Sequence, residues 1–168
     1  MRAAIVMGSK SDYGVVERAE KIFDAFGVGY TTRVISAHRT PSVAEAFSKD
    51  AEDEGIEVII AAAGKAAHLA GVLAANTPLP VIGLPIKSST LDGLDSLLSV
   101  VQMPKGVPVA TVAIDGAENA ALLAVQMLSI KYPELREAMR TYKATMERDI
   151  MQADREFQEG KYGVNAKG

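Results

Sequence analysis

Residues 2–27 read RAAIVMGSKSDYGVVERAEKIFDAFG and contain one full copy of a pattern that runs through the chain. Residues 2–7 are a short apolar run stopped by Gly8, which is how a buried strand reads. From residue 12 to residue 27 the apolar side chains Val15, Val16, Ala19, Ile22, Phe23 and Phe26 recur at helical spacing. Asp12 stands where a helix N-cap is wanted and Gly27 where a helix stops. Between strand and helix lies the polar turn GSKSD, residues 8–12.

The same alternation continues toward the C-terminus. Residues 30–35 (YTTRVI) are β-branched and aromatic, hence strand. Pro41 opens a second helix that runs to about residue 54 and is closed by Gly55. Further strands are expected at 56–63, 80–84 and 107–114, and further helices at 66–76, 91–101 and 117–130. Continuous apolar strands that alternate with helices imply a parallel sheet covered on both faces. Five strands point to an α/β three-layer sandwich of the flavodoxin-like kind.

One long helix is left over, residues 134–158 after Pro133. No strand follows it, so it is not a crossover. Its stripe of Leu135, Met139, Tyr142, Met146 and Ile150 packs either on its own domain or on a neighbouring subunit. Residues 159–168 read as a flexible tail, which leaves 1–158 as a single domain.

Composition excludes several functions. The 168 residues suffice for one hydrophobic core without a covalent staple. A net charge of −3 offers no basic face, so no nucleic-acid partner is expected. The absence of cysteine excludes disulfides, thiolate chemistry and cysteine-held metals. With only His38 and His68, a three-histidine zinc site cannot form in one chain. The apolar run before Gly8 is too short for a secretory leader, and no stretch approaches the ~20 residues of a membrane span. A cytoplasmic location away from membranes is the expectation.

In an open parallel sheet, ligands bind beyond the carboxyl ends of the strands. The polar residues gather there: Gly8 to Asp12 after the first strand, Ser36 to Pro41 after the second, Gly64 to His68 after the third, and Lys87 to Ser89 after the fourth. A glycine, two hydroxyls and a helix start make a phosphate cradle, and Arg39 can add a forked donor. Asp12 would repel a phosphate, so it either caps the helix or accepts from ribose hydroxyls. The alternative is that Ser9 and Asp12 only cap the helix. Gly64-Lys65-Ala66 is not a P-loop, which needs Ser or Thr after the lysine.

His38 can give and take a proton near neutral pH, in a polar loop beside Ser36 and Arg39. The plainer reading is a surface loop histidine. His68 either takes part in the chemistry or orients its loop. Lys65 is either a partner for a substrate carboxylate or a solvated surface lysine. The small residues Ala61 to Ala67 either let backbone approach a ligand or serve tight helix–sheet packing.

At these residues the chain resembles the aminoimidazole ribonucleotide carboxylase family. The resemblance rests on GSKSD at 8–12, SAHRTP at 36–41, AGKAAHLAG at 63–71, DSLLSVVQMPKGVPVAT at 95–111 and NAALLA at 119–124, and covers about residues 2–145. It is closest to the branch of N5-carboxyaminoimidazole ribonucleotide mutases, isomerases of purine biosynthesis. A second branch uses free carbon dioxide and has loops like SAHKT and AGRSN; Arg39 and Ala66-Ala67-His68 speak for the mutase.

The resemblance implies a homo-octamer with the last helix reaching across subunits, and neither a metal nor an organic cofactor. It implies substrate binding by Ser9, Ser11, Asp12 and Arg39, with Ser9 and Arg39 on the phosphate and Asp12 on the ribose. It places Ser36 and His38 in the catalytic loop, His38 as proton shuttle, and Ala63, Gly64, Ala67 and His68 over the pocket. Three departures stand out: Lys65 where glycine is usual, Ala70 where proline is usual, and Asp115-Gly116-Ala117-Glu118 in place of a longer glycine-rich turn. Two alternatives remain, the carboxylase that takes carbon dioxide and a non-catalytic flavodoxin-like nucleotide- or flavin-binding module. The absence of Trp and the single carboxylate in GSKSD weigh against a flavin carrier and a phosphate receiver.

Overall fold

Successive residues of a strand face opposite sides of its sheet, so a strand apolar at every position must be covered twice. Strand β3 (Val58–Gly64) is buried at every position from Val58 to Ala63, and β4 (Val81–Ile86) along its whole length. The computed structural model, which describes residues 1–89 and 91–160, satisfies this demand with helices on both faces. The sheet is parallel and also contains β1 (Arg2–Met7), β2 (Gly29–Val34) and β5 (Ala110–Thr111), in the order β2-β1-β3-β4-β5.

One face carries Ala3, Ile5 and Met7 of β1 with Val58, Ile60 and Ala62 of β3. Helices α1 (Tyr13–Phe26), α5 (Ala117–Leu128) and the start of α6 (Pro133–Gln158) cover it. The other face carries Ala4, Val6, Ile59, Ala61 and Ala63 under α2 (Pro41–Asp50), α3 (Leu69–Ala75) and α4 (Leu94–Val101). The three-layer flavodoxin-like sandwich expected from the alternation is therefore the fold. Alanines set its tightness: Ala117, Ala120, Ala121 and Ala124 of α5 are all fully buried.

The elements differ from expectation mainly at their ends. Helix α2 stops at Asp50, and a turn runs from there to Gly55, whose φ of 75° suits glycine. Helix α3 begins at Leu69 because Lys65, at φ 57°, turns the chain before it. Strand β5 shrinks to two residues on the sheet edge, paired only as Ile82 with Ala110 and Gly83 with Thr111. Of the expected tail, residues 161–168 lie outside the described residues, while Gly160 at φ 76° closes α6.

The stripe on α6 divides into two. Leu135 and Met139 are buried against the core, and the Tyr142 ring meets that of Phe26 at 5.7 Å. Beyond that point Met146, Ile150, Met151 and Phe157 are exposed, Ile150 at 73%. The first half of the helix thus packs on its own domain, while Met146 and Ile150 in the second half stand open to solvent.

Gly83 shows how closely α4 approaches the sheet. A Cβ on it would lie 2.2 Å from Cγ1 of Val100 and 2.9 Å from Cγ1 of Val109. Overpacking of this kind costs about 1–3 kcal/mol. Gly83→Ala is accordingly expected to lower stability by that amount in denaturant unfolding, and an unchanged midpoint would show that α4 yields freely.

Candidate active site

The chain leaves β1 toward β2 on one side and returns to β3 on the other, so the turns after β1 and β3 diverge. Such a switch point opens a crevice at the carboxyl ends of the strands. Here it is a cleft of about 650 Å³, walled by Gly8, Ser9, Ser11 and Asp12, by Ser36 to Arg39, by Ala63 to Ala66 with His68 and Leu69, and by Ile86 to Ser88.

The first wall is a short 3-10 turn, Lys10–Asp12. Ser9 caps it, its Oγ accepting from the Ser11 N–H at 3.3 Å and from the Ser11 hydroxyl at 2.9 Å. The Ser11 hydroxyl also lies 3.1 Å from Oδ1 of Asp12. Asp12 makes no side-chain capping bond to α1. Its carboxylate is nevertheless buried, and that burial raises its pKa above the ordinary carboxylate value. The Ser11 hydroxyl, the Ser9 backbone and the charge of Arg39 pull the other way without overcoming it.

The second wall is a turn locked by Thr40, whose hydroxyl donates to the Ser36 carbonyl at 2.9 Å and accepts from the Ser36 N–H at 3.1 Å. The Ser36 Oγ accepts from the Arg39 backbone N–H at 3.2 Å and from its Nε at 3.3 Å. Arg39 then donates from Nη2 to the Gly8 carbonyl at 2.9 Å, tying the second loop to the first. Ser36 is thus a positioning residue for Arg39 in this geometry.

His38 projects from this turn and meets His68 from the third loop. Its Nε2 lies 2.9 Å from Nδ1 of His68, with the rings edge-to-face at 84°. One nitrogen must donate and the other accept. Two residues 30 apart in sequence are therefore brought into one hydrogen-bonded pair at the cleft.

The third wall is the end of β3. Gly64 lies close against β4, and a Cβ there would sit 3.3 Å from the Ile86 carbonyl oxygen, a tight contact. Lys65 holds φ 57°, a left-handed conformation that costs a non-glycine residue roughly 1–2 kcal/mol. Glycine would sit there without that cost. Among the described residues no group of three or more His, Asp or Glu could hold a metal ion.

The cleft brings together Ser9, Ser11, Asp12, Ser36, His38, Arg39, Ala63, Gly64 and His68. Ala67 is the exception: its side chain is fully buried in the core under α3 and takes no part in the cleft wall. Of the two roles open to its small side chain, tight packing is the one it fills here. Lys87 and Ser88, placed at the sheet rim by their position after β4 but carrying no family motif, are also wall residues. Asp115, itself at φ 54°, fixes that strand end by accepting from the Lys87 N–H at 2.8 Å. Arg18 in turn donates to the Asp115 carbonyl at 2.7 Å.

The AIR carboxylase family model matches residues 2–149. The N5-carboxyaminoimidazole ribonucleotide mutase of Pyrococcus horikoshii is 57% identical over 155 residues, covering 92% of this chain and 88% of that protein. The protein of the same name from Pyrococcus abyssi is 60% identical over 147 residues, covering 88% and 84%. Among solved structures, the crystal structure of Treponema denticola PurE is similar with a TM-score of 0.83 at 29% identity, covering 92% of this chain and 97% of that one.

Asp12 offers a test of the cleft's energetics. Its pKa in the folded chain lies above the unfolded value, so the folded state binds the proton more readily and this term stabilises as pH falls. At neutral pH the buried charge is a cost. Ligand-free Asp12→Asn should therefore unfold at a higher temperature than the parent at pH 7, with the gain closing as pH drops through the carboxylate range. A lower midpoint at pH 7 would overturn this account.

Proposed function

The chain belongs to the AIR carboxylase family, and from that membership and the geometry of the cleft we propose that it is an N5-carboxyaminoimidazole ribonucleotide mutase. It moves a carboxylate from the exocyclic nitrogen to the ring carbon of an aminoimidazole ribonucleotide. The observation that carries the reading is the cleft's division into two ends, an anion-binding turn tied to Arg39 and a histidine pair. Family membership removes the non-catalytic binding module from consideration.

The residues divide the work. Ser9, Ser11 and Arg39 receive the 5′-phosphate, where hydroxyls and a guanidinium supply donors. Asp12 accepts from ribose hydroxyls, which recovers part of the cost of its burial. Gly8 and Gly64, which line the cleft without side chains, leave room for the ring between the turns.

His38 in its charged form gives a proton to the carbamate nitrogen. The N–C bond breaks, leaving the amine and carbon dioxide. The ring carbon then attacks the carbon dioxide, and neutral His38 removes the proton from that carbon. One proton is lent and returned, so the isomerisation needs no outside acid or base. His68, bonded to His38, fixes the ring and its tautomer.

Carbon dioxide must stay in the site between the two steps, which calls for a closed, dry pocket. In the single chain His38 and Arg39 are exposed. We infer that a neighbouring copy completes the enclosure and that the apolar second half of α6 lies across that copy, in a homo-octamer. The chain's place of work is then the cytoplasm. No helix among the described residues is long and apolar enough to cross a membrane.

Incubation with the carbamate nucleotide should yield the ring-carboxylated product. His38→Asn should lower kcat by about 10²- to 10⁴-fold while leaving the unfolding midpoint in place. Full turnover by His38→Asn would refute the shuttle. Strong activity with the aminoimidazole nucleotide plus bicarbonate, and none with the carbamate, would assign the chain to carbon dioxide-dependent carboxylation instead. For the assembly, Ile150→Glu with Met146→Glu should reduce the mass in light scattering without loss of helical circular dichroism; an unchanged mass would place the subunit contact elsewhere.

A further inference from the structure

The charged nitrogens around the cleft are mostly committed within the chain. Arg39 holds Gly8 and Ser36. The Lys87 ammonium lies 3.2 Å from Oδ1 of Asp92. The two histidines hold each other. Lys65 differs: it lines the cleft, is exposed, and has no ion pair or hydrogen-bond partner among the described residues. It also keeps a left-handed backbone that glycine would adopt freely.

The substrate of the proposed reaction carries two anions, a phosphate and a carboxylate. Arg39 and the Gly8–Asp12 turn serve the first. At the other end Ala63, Gly64, Ala66 and the histidines form the wall, and Lys65 is the one residue with an unpaired permanent charge on that loop, three positions before His68. We propose that the Lys65 ammonium binds the migrating carboxylate, as the carbamate before transfer and as the ring carboxylate after it. This rests on the mutase reading above.

The chemistry gives the role a kinetic signature. The migrating group is an anion in substrate and product but neutral as carbon dioxide between them. A cation there stabilises the two ground states more than the intermediate. Such a contact sets KM and product affinity and adds nothing to kcat. Its removal therefore raises KM without slowing the saturated enzyme.

Lys65→Gly is the informative variant, because glycine takes the same φ without strain and the fold is preserved. Lys65→Arg keeps the charge. Steady-state rates with the carbamate nucleotide are measured together with calorimetric Kd values for the ring-carboxylated product and for the decarboxylated aminoimidazole ribonucleotide. Lys65→Gly is expected to raise KM and the product Kd by about tenfold, the scale of a charge-assisted hydrogen bond. The Kd of the decarboxylated nucleotide should stay as it was, kcat should not fall, and Lys65→Arg should restore both constants. Equal weakening of carboxylated and decarboxylated nucleotides would move Lys65 to the phosphate and overturn the proposal. So would no change in either, or a loss of kcat at constant KM. A parent enzyme that binds both nucleotides yet fails to convert the carbamate would sink the mutase reading instead, while the comparison of the two Kd values still judges Lys65.

Discussion

A strand buried on both faces has no room for a polar side chain, because an unpaired polar group there would cost about 1–3 kcal/mol. β3 and β4 obey this along nearly their whole length. The result is a sheet whose chemistry is confined to its rim. Once the strands are parallel, their carboxyl ends share one rim, and the divergence at β1 and β3 opens it. The cleft follows from this exclusion of polarity combined with strand order, before any catalytic residue is named. Alanine and glycine then set how near the layers lie, from the alanine face of α5 to Gly83 beneath Val100.

On that rim the side chains are organised by two cross-loop ties. Arg39 reaches from the turn after β2 to the carbonyl of Gly8 at the end of β1. His38 reaches from the same turn to His68 after β3. The loop at 36–40 is thus anchored to both neighbouring strand ends, and its own rigidity comes from the paired Ser36–Thr40 bonds. An acid–base group must be held in one orientation to act on a bound ring. Here the orientation comes from the bonds that lock the loop and from the tie to His68, not from burial, since His38 is exposed.

Much of this was legible in the sequence because the signals were periodic. The alternation of apolar runs and helical spacing gave every strand and helix in order, and the polar turns after each strand gave the cleft. What escaped had no periodic signature. The pairing of His38 with His68 depends on loops meeting in space, 30 residues apart in the chain. The start of α3 moved because a left-handed residue at Lys65 broke a stretch that propensity favoured as helix. The place of the Ala67 side chain in the core was not legible, because a methyl group looks the same whether it lines a pocket or fills a core. Strand β5 shortened at the sheet edge, where a run of apolar β-branched residues still reads as strand but the ladder has only one neighbour. The stripe on α6 reads as continuous, yet only Leu135 and Met139 of it are buried, while Met146 and Ile150 are exposed.

The unfavourable features cluster where the ligand would be. Asp12 is a buried carboxylate held off its ordinary pKa by desolvation. Lys65 and Asp115 keep left-handed backbones without being glycine, and Asp92 does so in the segment after β4. The strands behind them show no such irregularity. Local costs of this kind cluster at functional sites, because groups arranged to meet a ligand cannot all be satisfied by one another. Asp12 and Lys65 are opposite in charge and both line the cleft, yet no ion pair joins them. A cleft built only for stability would have let them neutralise each other. Kept apart from it, Asp12 keeps its bond from the Ser11 hydroxyl, while the Lys65 ammonium stays without an ion pair among the described residues on the same rim.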